Sequence, residues 1–452
     1  MKNNTFSYSV LVGLHVVIAL TIFAVPFLSK IYALLIPLVG FAYVYNTKNK
    51  NNEVLLVAAY LVGAEVFLRM TGGNFNNEYV KFSVIFFMLM GMIYNGFSLS
   101  ALIFGVFLVM LIPGILLTFL NDDLFTDVKK VLFFNLSGPV CLAICAMYTM
   151  NRTVSFDDLQ NIVKMMGFPI VTTSAYLFFY NPSVQDVITG TQSSFETSGG
   201  FGPNQVSTIL GLGMFVFFTQ FILFSKSRKM MLINGFILLF ISYRGIVTFS
   251  RGGVITGVVM IVALMLFLYF YSSAKTKFKL TLVAVLTALL SLGVWTYSSL
   301  RTSGLIEKRY ANEDAAGREK KDKLGGREAI MEAELNLFLN NPITGVGAGL
   351  GKLHRRDMIA EDAATHNEIT RMLSEHGLFG IIGLVILLVT PVVTYFNNRQ
   401  HFYIVSFYFF WLLTINHAAM RTAAPAFVYA LTLLTVLNIK KNTDTGEQFA
   451  AS

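Results

Sequence analysis

The stretch GVITGVVMIVALMLFLYFYS, residues 253–272, holds twenty residues and no charged side chain. As an α-helix it would rise about 1.5 Å per residue, about 30 Å in all, which matches the hydrocarbon core of a bilayer. A helix satisfies its own backbone, so such a segment is stable in lipid without any polar partner. The same pattern recurs near residues 8–28, 31–46, 54–70, 80–95, 98–120, 131–150, 163–180, 205–225, 230–249, 279–300, 378–397, 402–418 and 423–439, about fourteen runs in all. The chain of 452 residues is 55% hydrophobic and 13% charged, with mean hydropathy +0.64. A transmembrane barrel would alternate polar and apolar residues; these runs are continuous. The 42 Phe, 19 Tyr and 35 Gly suit aromatic interfaces and close helix contacts. The expected fold class is all-α, a polytopic transmembrane helix bundle of about 12–14 spans.

Lys and Arg collect in cytoplasmic loops, so their positions orient the spans. With the N-terminus inside, the inner connections hold Lys48 and Lys50, Arg152 and Lys164, Lys226 with Arg228 and Lys229, Lys275 with Lys277 and Lys279, Arg399, and Lys440 with Lys441. Both termini are then cytoplasmic. The opposite side receives NPSVQDVITGTQSSFETSGGFGPN, residues 181–204, which has no Lys or Arg, and the long segment from Arg301 to His376. On the inner side SFDDLQNIVKMMGF carries a Ser155 and Asp158 capping box and is expected as an interfacial connector. The first run has no small-residue cleavage site and reads as a retained span. Cys141 and Cys145, four apart in one apolar run, give neither a disulfide framework nor zinc spacing. The net charge of +9 reflects loop bias and contact with membrane lipids or phosphate, and gives no reason to invoke nucleic acid. The expected organisation is a transmembrane bundle over residues 1–300 with about eleven spans, a loop domain over 301–377, and C-terminal helices with a cytoplasmic tail over 378–452. No internal repeat marks the chain, which weighs against a transporter built from inverted repeats.

Chemistry concentrates in the 301–377 loop. GREAIMEAELNLFLNN reads as an amphipathic helix with Met331, Leu335 and Phe338 on one face, ended by Pro342. The turn GVGAGLGK follows; it fails as a nucleotide loop because Val346 stands where a glycine is needed and Leu353 replaces Ser or Thr. Gly347 within it could still bring backbone close to a diphosphate or sugar, although a plain turn serves as well. Thr365 and Glu368 then form a second capping-box pattern, T-H-N-E, which would place His366 at the first position of a helix interrupted by Gly377. The positive end of the peptide dipoles keeps a histidine there neutral, as a general base requires. Taken alone, His366 reads equally well as a solvated loop residue. Its company is the argument. Arg327 opens the amphipathic helix, Arg251 sits where a span meets the outer face, and Arg244 lies two turns deeper, where an unpaired cation is costly. Guanidinium groups fork onto phosphate oxygens, so these arginines suit a lipid-linked diphosphate. The plainer alternatives are snorkelling for Arg251 and a surface ion pair for Arg327. Asn367 and Arg421 are weaker candidates for substrate contact, and Glu375 is a candidate acid-base or orienting partner of His366. The histidines are scattered and the carboxylates do not cluster, so neither a metal site nor a cofactor is expected.

Ser250-Arg251-Gly252-Gly253, Gly326-Arg327-Glu328, Asn341-Pro342-Ile343-Thr344-Gly345-Val346-Gly347, His366-Asn367 and Glu375-His376-Gly377, with Gly202-Pro203-Asn204 upstream, together resemble the O-antigen ligase and O-antigen polymerase superfamily of bacterial inner membranes. The likeness covers about residues 195–395 and rests on order and spacing rather than on one motif. It implies a GT-C-like, metal-independent glycosyltransferase that takes an undecaprenyl-diphosphate-linked glycan at the periplasmic face. By that resemblance His366 activates the acceptor hydroxyl while Arg251 and Arg327 hold the diphosphate. The acceptor would be lipid A-core for a ligase, a second lipid-linked glycan for a polymerase, or a protein for an O-oligosaccharyltransferase. The ligase is placed first because one outer loop holds both Arg327 and His366, while the 181–204 loop lacks arginine. From another class, a flippase or secondary transporter would use Arg244 to line a pathway, but it would also spread charges through several spans.

Overall fold

Every apolar run read from the sequence contains a helix. In the computed structural model residues 7–120, 128–320, 327–356, 358–359 and 365–437 are described; Gly326, Lys440 and Lys441, invoked above, lie outside them. The first eleven helices are α1 (Tyr8–Ala24), α2 (Leu28–Thr47), α3 (Glu53–Met70), α4 (Tyr79–Asn95), α5 (Leu102–Phe119), α6 (Val128–Thr149), α7 (Phe156–Tyr180), α8 (Pro203–Thr219), α9 (Arg228–Ile246), α10 (Arg251–Phe270) and α11 (Ala274–Arg301). Three shorter ones, α12 (Leu305–Tyr310), α13 (Arg327–Asn340) and α14 (Gly351–Arg356), precede α15 (Glu368–Asn397), α16 (Ile404–His417) and α17 (Ala423–Leu431). Among the described residues nine helices are long and apolar enough to cross a membrane, and α1, α4 and α16 are shorter apolar helices. The protein is an all-α, multi-pass membrane bundle.

Three sequence expectations change. SFDDLQNIVKMMGF is no separate connector: it forms the first turns of α7, a continuous helix of 25 residues, with the Ser155 and Asp158 capping box in place. Its Leu159, Ile162, Val163 and Met166 are buried in the core rather than laid on lipid. The run at 423–439 is not a span either. α17 has nine residues, about 14 Å of rise, too little to cross. The chain then extends into β2 (Thr435–Leu437), which pairs in parallel with β1 (Thr153–Ser155). On α13 the buried stripe is Ile330, Ala333, Glu334 and Leu337, and Leu335 faces out. Glu334 is buried because Arg355 of α14 neutralises it at 2.6 Å; a pattern reading assigns a carboxylate to the wet face and so rotates the helix.

α8 is the centre of the bundle, with 83% of its most apolar window buried, and α11 is a rim helix with 6%. The contact that positions the outer ends is α8 against α10. A Cβ on Gly253 would lie 2.1 Å from the Ser207 carbonyl carbon, and one on Gly211 would lie 2.0 Å from the Gly253 oxygen. Gly257 completes the pattern, 2.5 Å from the Gly211 oxygen. Two backbones therefore touch, as small residues spaced four apart allow between membrane helices. At Gly377 the backbone of α15 turns out of helical geometry, with φ 56° and ψ −134°. This separates a buried polar segment, 368–376, from the apolar span that follows.

Gly253→Val should push α10 off α8, at about 1–3 kcal/mol or more, because the obstacle is backbone that cannot rotate away. Gly105→Val in α5, where nothing lies within 4 Å, should be near neutral. Thermal denaturation of the detergent-solubilised variants tests this, and equal melting temperatures would refute the contact.

Candidate functional site

Arg251 is the first residue of α10, and its neighbours are all committed to packing. Ser250 donates to Asn204 Oδ1 at 2.8 Å, and Ser207 donates to the Ser250 carbonyl at 2.7 Å, which ties the start of α10 to the start of α8. Gly252 leaves room for the His417 ring, which a Cβ would approach to 2.5 Å. His417, at the end of α16, meets Thr208 Oγ1 at 3.1 Å through Nε2. Of the motif Ser-Arg-Gly-Gly, then, three members hold three helices together and Arg251 is the one long side chain at their junction.

Phe249, two residues before Arg251, has φ 58°, a left-handed backbone that is costly for an aromatic residue. That conformation goes with a carbonyl that accepts Arg309 Nε at 2.9 Å, and Arg309 Nη2 reaches Ser193 Oγ at 3.4 Å. Arg251 Nη1 in turn donates to the Arg309 carbonyl at 3.3 Å. Thr191 donates to the Glu313 carbonyl at 2.8 Å and accepts Lys320 Nζ at 2.7 Å, so the 181–204 loop and the segment after α11 are stitched together. Burial holds the Arg309 guanidinium down at about 10, helped by the charges of Arg251 and Arg327. Burial and Arg251 lower Arg327. Lys320 is lowered by burial and then by Arg309 and Arg251, with only Asp314 opposing. Among the described residues Arg327 makes no ion pair. Four cations crowded this way concentrate positive potential on one side of the bundle.

His366 feels the charge of Arg327 and stands just before its helix, two positions earlier than the capping pattern predicts. Asn367 is the N-cap: its Oδ1 accepts from Ile369 N at 2.9 Å and from Thr370 N at 3.4 Å. This replaces the expectation that Thr365 and Glu368 form the box, and it gives Asn367 a capping task in place of a substrate contact. Thr365 instead donates to Glu334 at 3.2 Å. The His366 carbonyl accepts from Ala419 N at 3.0 Å, and the Thr365 carbonyl accepts from Arg421 Nη2 at 2.8 Å. Nδ1 of His366 is buried without a hydrogen-bond partner. Burial pushes the imidazole down to about 3, with Arg421, Arg327, His417 and Arg355 adding repulsion. His366 is therefore neutral, chiefly through burial rather than through the helix dipole. Arg327 acts on both His366 and Arg251's neighbour Arg309, so Arg251, Arg327 and His366 share one electrostatic environment.

Three other sequence candidates are occupied elsewhere. Glu375 pairs with Arg371 at 2.8 Å and accepts from the Gly349 backbone, while Arg371 also pairs with Glu368; the carboxylate does not orient His366. Gly347, at φ 106°, donates to the Glu375 carbonyl at 3.2 Å, and Ala348 donates to Gly114 at 2.9 Å. Its turn clamps α5 to α15. Arg244 donates to the carbonyls of Leu177 at 2.6 Å and Asn181 at 3.2 Å, capping α7. Sequence reasoning missed Arg309, whose partner Ser193 is 116 positions away. It also missed Glu65 of α3, which pairs with Arg69 at 2.6 Å and accepts Ala423 N at 2.7 Å. A lone carboxylate within an apolar run was the available signal for Glu65; nothing local marks Arg309.

Residues 236–386 match a family model described as O-antigen ligase, a range that contains Arg251, Arg309, Arg327 and His366 but stops before His417 and Arg421. No curated protein matches the chain. The match supports the O-antigen ligase superfamily, and with it a glycosyltransferase-like enzyme acting on lipid-linked glycans.

The ring of His366 should stay neutral through the ordinary histidine range, and Arg421→Gln should raise its pKa by removing the largest repulsion. In the unfolded chain histidine takes up its proton near pH 6.5. The native group resists protonation, so its contribution to stability is full above that pH and is lost as pH falls towards about 3. NMR of 13C-labelled histidine checks both statements; titration of His366 near pH 6.5 in the wild type would refute them.

Proposed function

We propose that the protein transfers a glycan from undecaprenyl diphosphate to an acceptor hydroxyl at the periplasmic face of a bacterial inner membrane, as an O-antigen ligase acting on lipid A-core. One observation carries this reading: a neutral histidine with an unbonded ring nitrogen feels the charges of Arg421 and Arg327, and Arg327 in turn shares its surroundings with Arg251 and Arg309. In this reading both termini are cytoplasmic and residues 301–377 lie outside.

The acceptor oxygen attacks the anomeric carbon, and its proton passes to His366. The bond between that carbon and the diphosphate oxygen breaks, and its electron pair stays on the diphosphate. The arginines stabilise the charge that grows there, Arg251 and Arg309 being placed by main-chain contacts before the donor arrives. A single displacement inverts the anomeric centre and needs no metal in this scheme. Electrostatics also couples the two roles. A pKa of about 3 makes His366 a weak base in the empty site. A bound diphosphate would offset Arg327 and Arg421 and lift His366 towards its ordinary value, so the base strengthens when the donor is present.

The polymerase reading gains from the contact of Arg309 with Ser193. That contact brings the 181–204 loop into the cation cluster, so chemistry confined to one loop no longer favours the ligase. The acceptor separates the two, and a protein acceptor would mark an O-oligosaccharyltransferase.

Purified protein supplied with an undecaprenyl-diphosphate-linked glycan should glycosylate lipid A-core with inverted linkage. His366→Ala should lose about a thousandfold in rate and Arg309→Gln about a hundredfold. Ladders of repeat units on a lipid-linked acceptor would establish the polymerase instead. Full activity in His366→Ala, or passage of the lipid-linked glycan across vesicles without transfer to any acceptor, would overturn the enzymatic reading.

A further inference from the structure

Arg244 is a buried cation that the transfer chemistry does not use, and unlike the buried Lys81, Arg355 and Arg371 it has no carboxylate partner among the described residues. It is 1% exposed at the end of α9, and its two Nη groups take the α7 carbonyls, but Nε has no partner. Among the described residues no carboxylate pairs with it. Helix C-terminal carbonyls carry only partial negative charge, so a membrane-buried guanidinium held by them still favours an anion.

A cavity of about 540 Å³ opens beside it between α7, α9 and α11. Phe178, Phe236, Phe240, Leu289, Leu290 and Val294 make its long wall apolar. Gly293 widens it, because nothing lies within 4 Å of where its Cβ would be. Polar groups are confined to one end. There Arg301, the last residue of α11, donates from Nε to Tyr297 Oη at 3.0 Å and stands 5.4 Å from that ring. Tyr297 meets Tyr243 edge to face at 5.1 Å, and Tyr243 adjoins Arg244. An apolar slot with two arginines at one end, both at the ends of their helices, has the polarity of a lipid: hydrocarbon along the wall and phosphate at the rim. The exposed rim helix α11 leaves the slot open to the bilayer.

We propose that this cavity binds an anionic diacyl phospholipid, its phosphate taking the Arg244 Nε proton and the Arg301 guanidinium while an acyl chain fills the slot. The charge selects the class, since a zwitterionic lipid would bring its own cation to two arginines. The site is separate from the Arg251, Arg309 and Arg327 cluster and stands whether or not the transfer reaction does.

Native mass spectrometry of the whole protein with added phosphatidylglycerol tests it, with phosphatidylcholine and undecaprenyl phosphate as competitors. Phosphatidylglycerol should be retained over phosphatidylcholine, and Arg301→Gln should lower its retention about tenfold by removing a charge-assisted contact. Gly293→Leu should block the slot, and both changes lie on open surface, so folding is unaffected. Arg244→Gln should act likewise if it folds. Equal retention of phosphatidylglycerol in Arg301→Gln and Gly293→Leu would overturn the site, as would equal binding of phosphatidylcholine. Displacement by undecaprenyl phosphate in preference to phosphatidylglycerol would overturn the diacyl assignment.

Discussion

The backbone contact between α8 and α10 is the constraint on which the outer face depends. Because Gly211, Gly253 and Gly257 remove every side chain from that seam, the two helices meet at main-chain distance. The start of α10 is thereby fixed in height and rotation against the start of α8. Ser250 and Ser207 then lock the register, and Gly252 admits the His417 ring from α16. Arg251 inherits its position from packing that involves no charge. In lipid, where apolar contact between helices carries no hydrophobic advantage, such close approach is a principal source of helix association.

Around that fixed point the polar groups divide into two populations. Buried carboxylates Glu65, Glu334, Glu368 and Glu375 are each spent on an arginine: Arg69, Arg355 and Arg371, the last shared by two. Three of these four pairs are local to one helix, and further hydrogen bonds from Glu65 and Glu334 join segments distant in sequence. Glu334 links α13 to α14 and to Thr370 of α15 at 2.5 Å, and Glu65 links α3 to the start of α17. Breaking one partner of such a pair leaves a charge stranded out of water, which makes the network a rigid frame. Arg69 extends that frame to the Arg421 carbonyl at 3.0 Å, and Arg421 extends it to Thr365, beside His366.

The second population is cationic. Arg251 and Arg309 are held against mutual repulsion by main-chain carbonyls and by the left-handed turn at Phe249, Lys320 is held by the Thr191 hydroxyl, and Arg327 lies within reach of their charges. Crowded like charges and a strained residue cost free energy in the empty protein, and a multiply charged anion would recover it. Burial keeps His366 neutral, and of these cations Arg327 adds to it, together with Arg421. Anion binding and the protonation of that histidine are consequently one coupled equilibrium.

The sequence by itself determined that the chain is a membrane helix bundle, because a run of about twenty apolar residues has only one stable solution in lipid. It also offered Arg251, Arg327 and His366 as candidates, since charge and caps at helix ends are local signals, and it anticipated the break at Gly377. It misjudged the α13 face and the short α17 because the deciding partner lies elsewhere in the chain, and the cap at Asn367 because two neighbouring residues compete for the same backbone. Arg355 turns Glu334 inward, Asn367 outcompetes Thr365 for the backbone, and the pairing of Thr435 with Thr153 ends the last helix early. Glu375 and Gly347 read as chemistry but serve the clamp between α5 and α15, whereas Arg309 carries no local mark. Tertiary structure alone decided how Arg309 and Glu65 are held, because their partners Ser193 and Ala423 lie more than a hundred positions away in the chain.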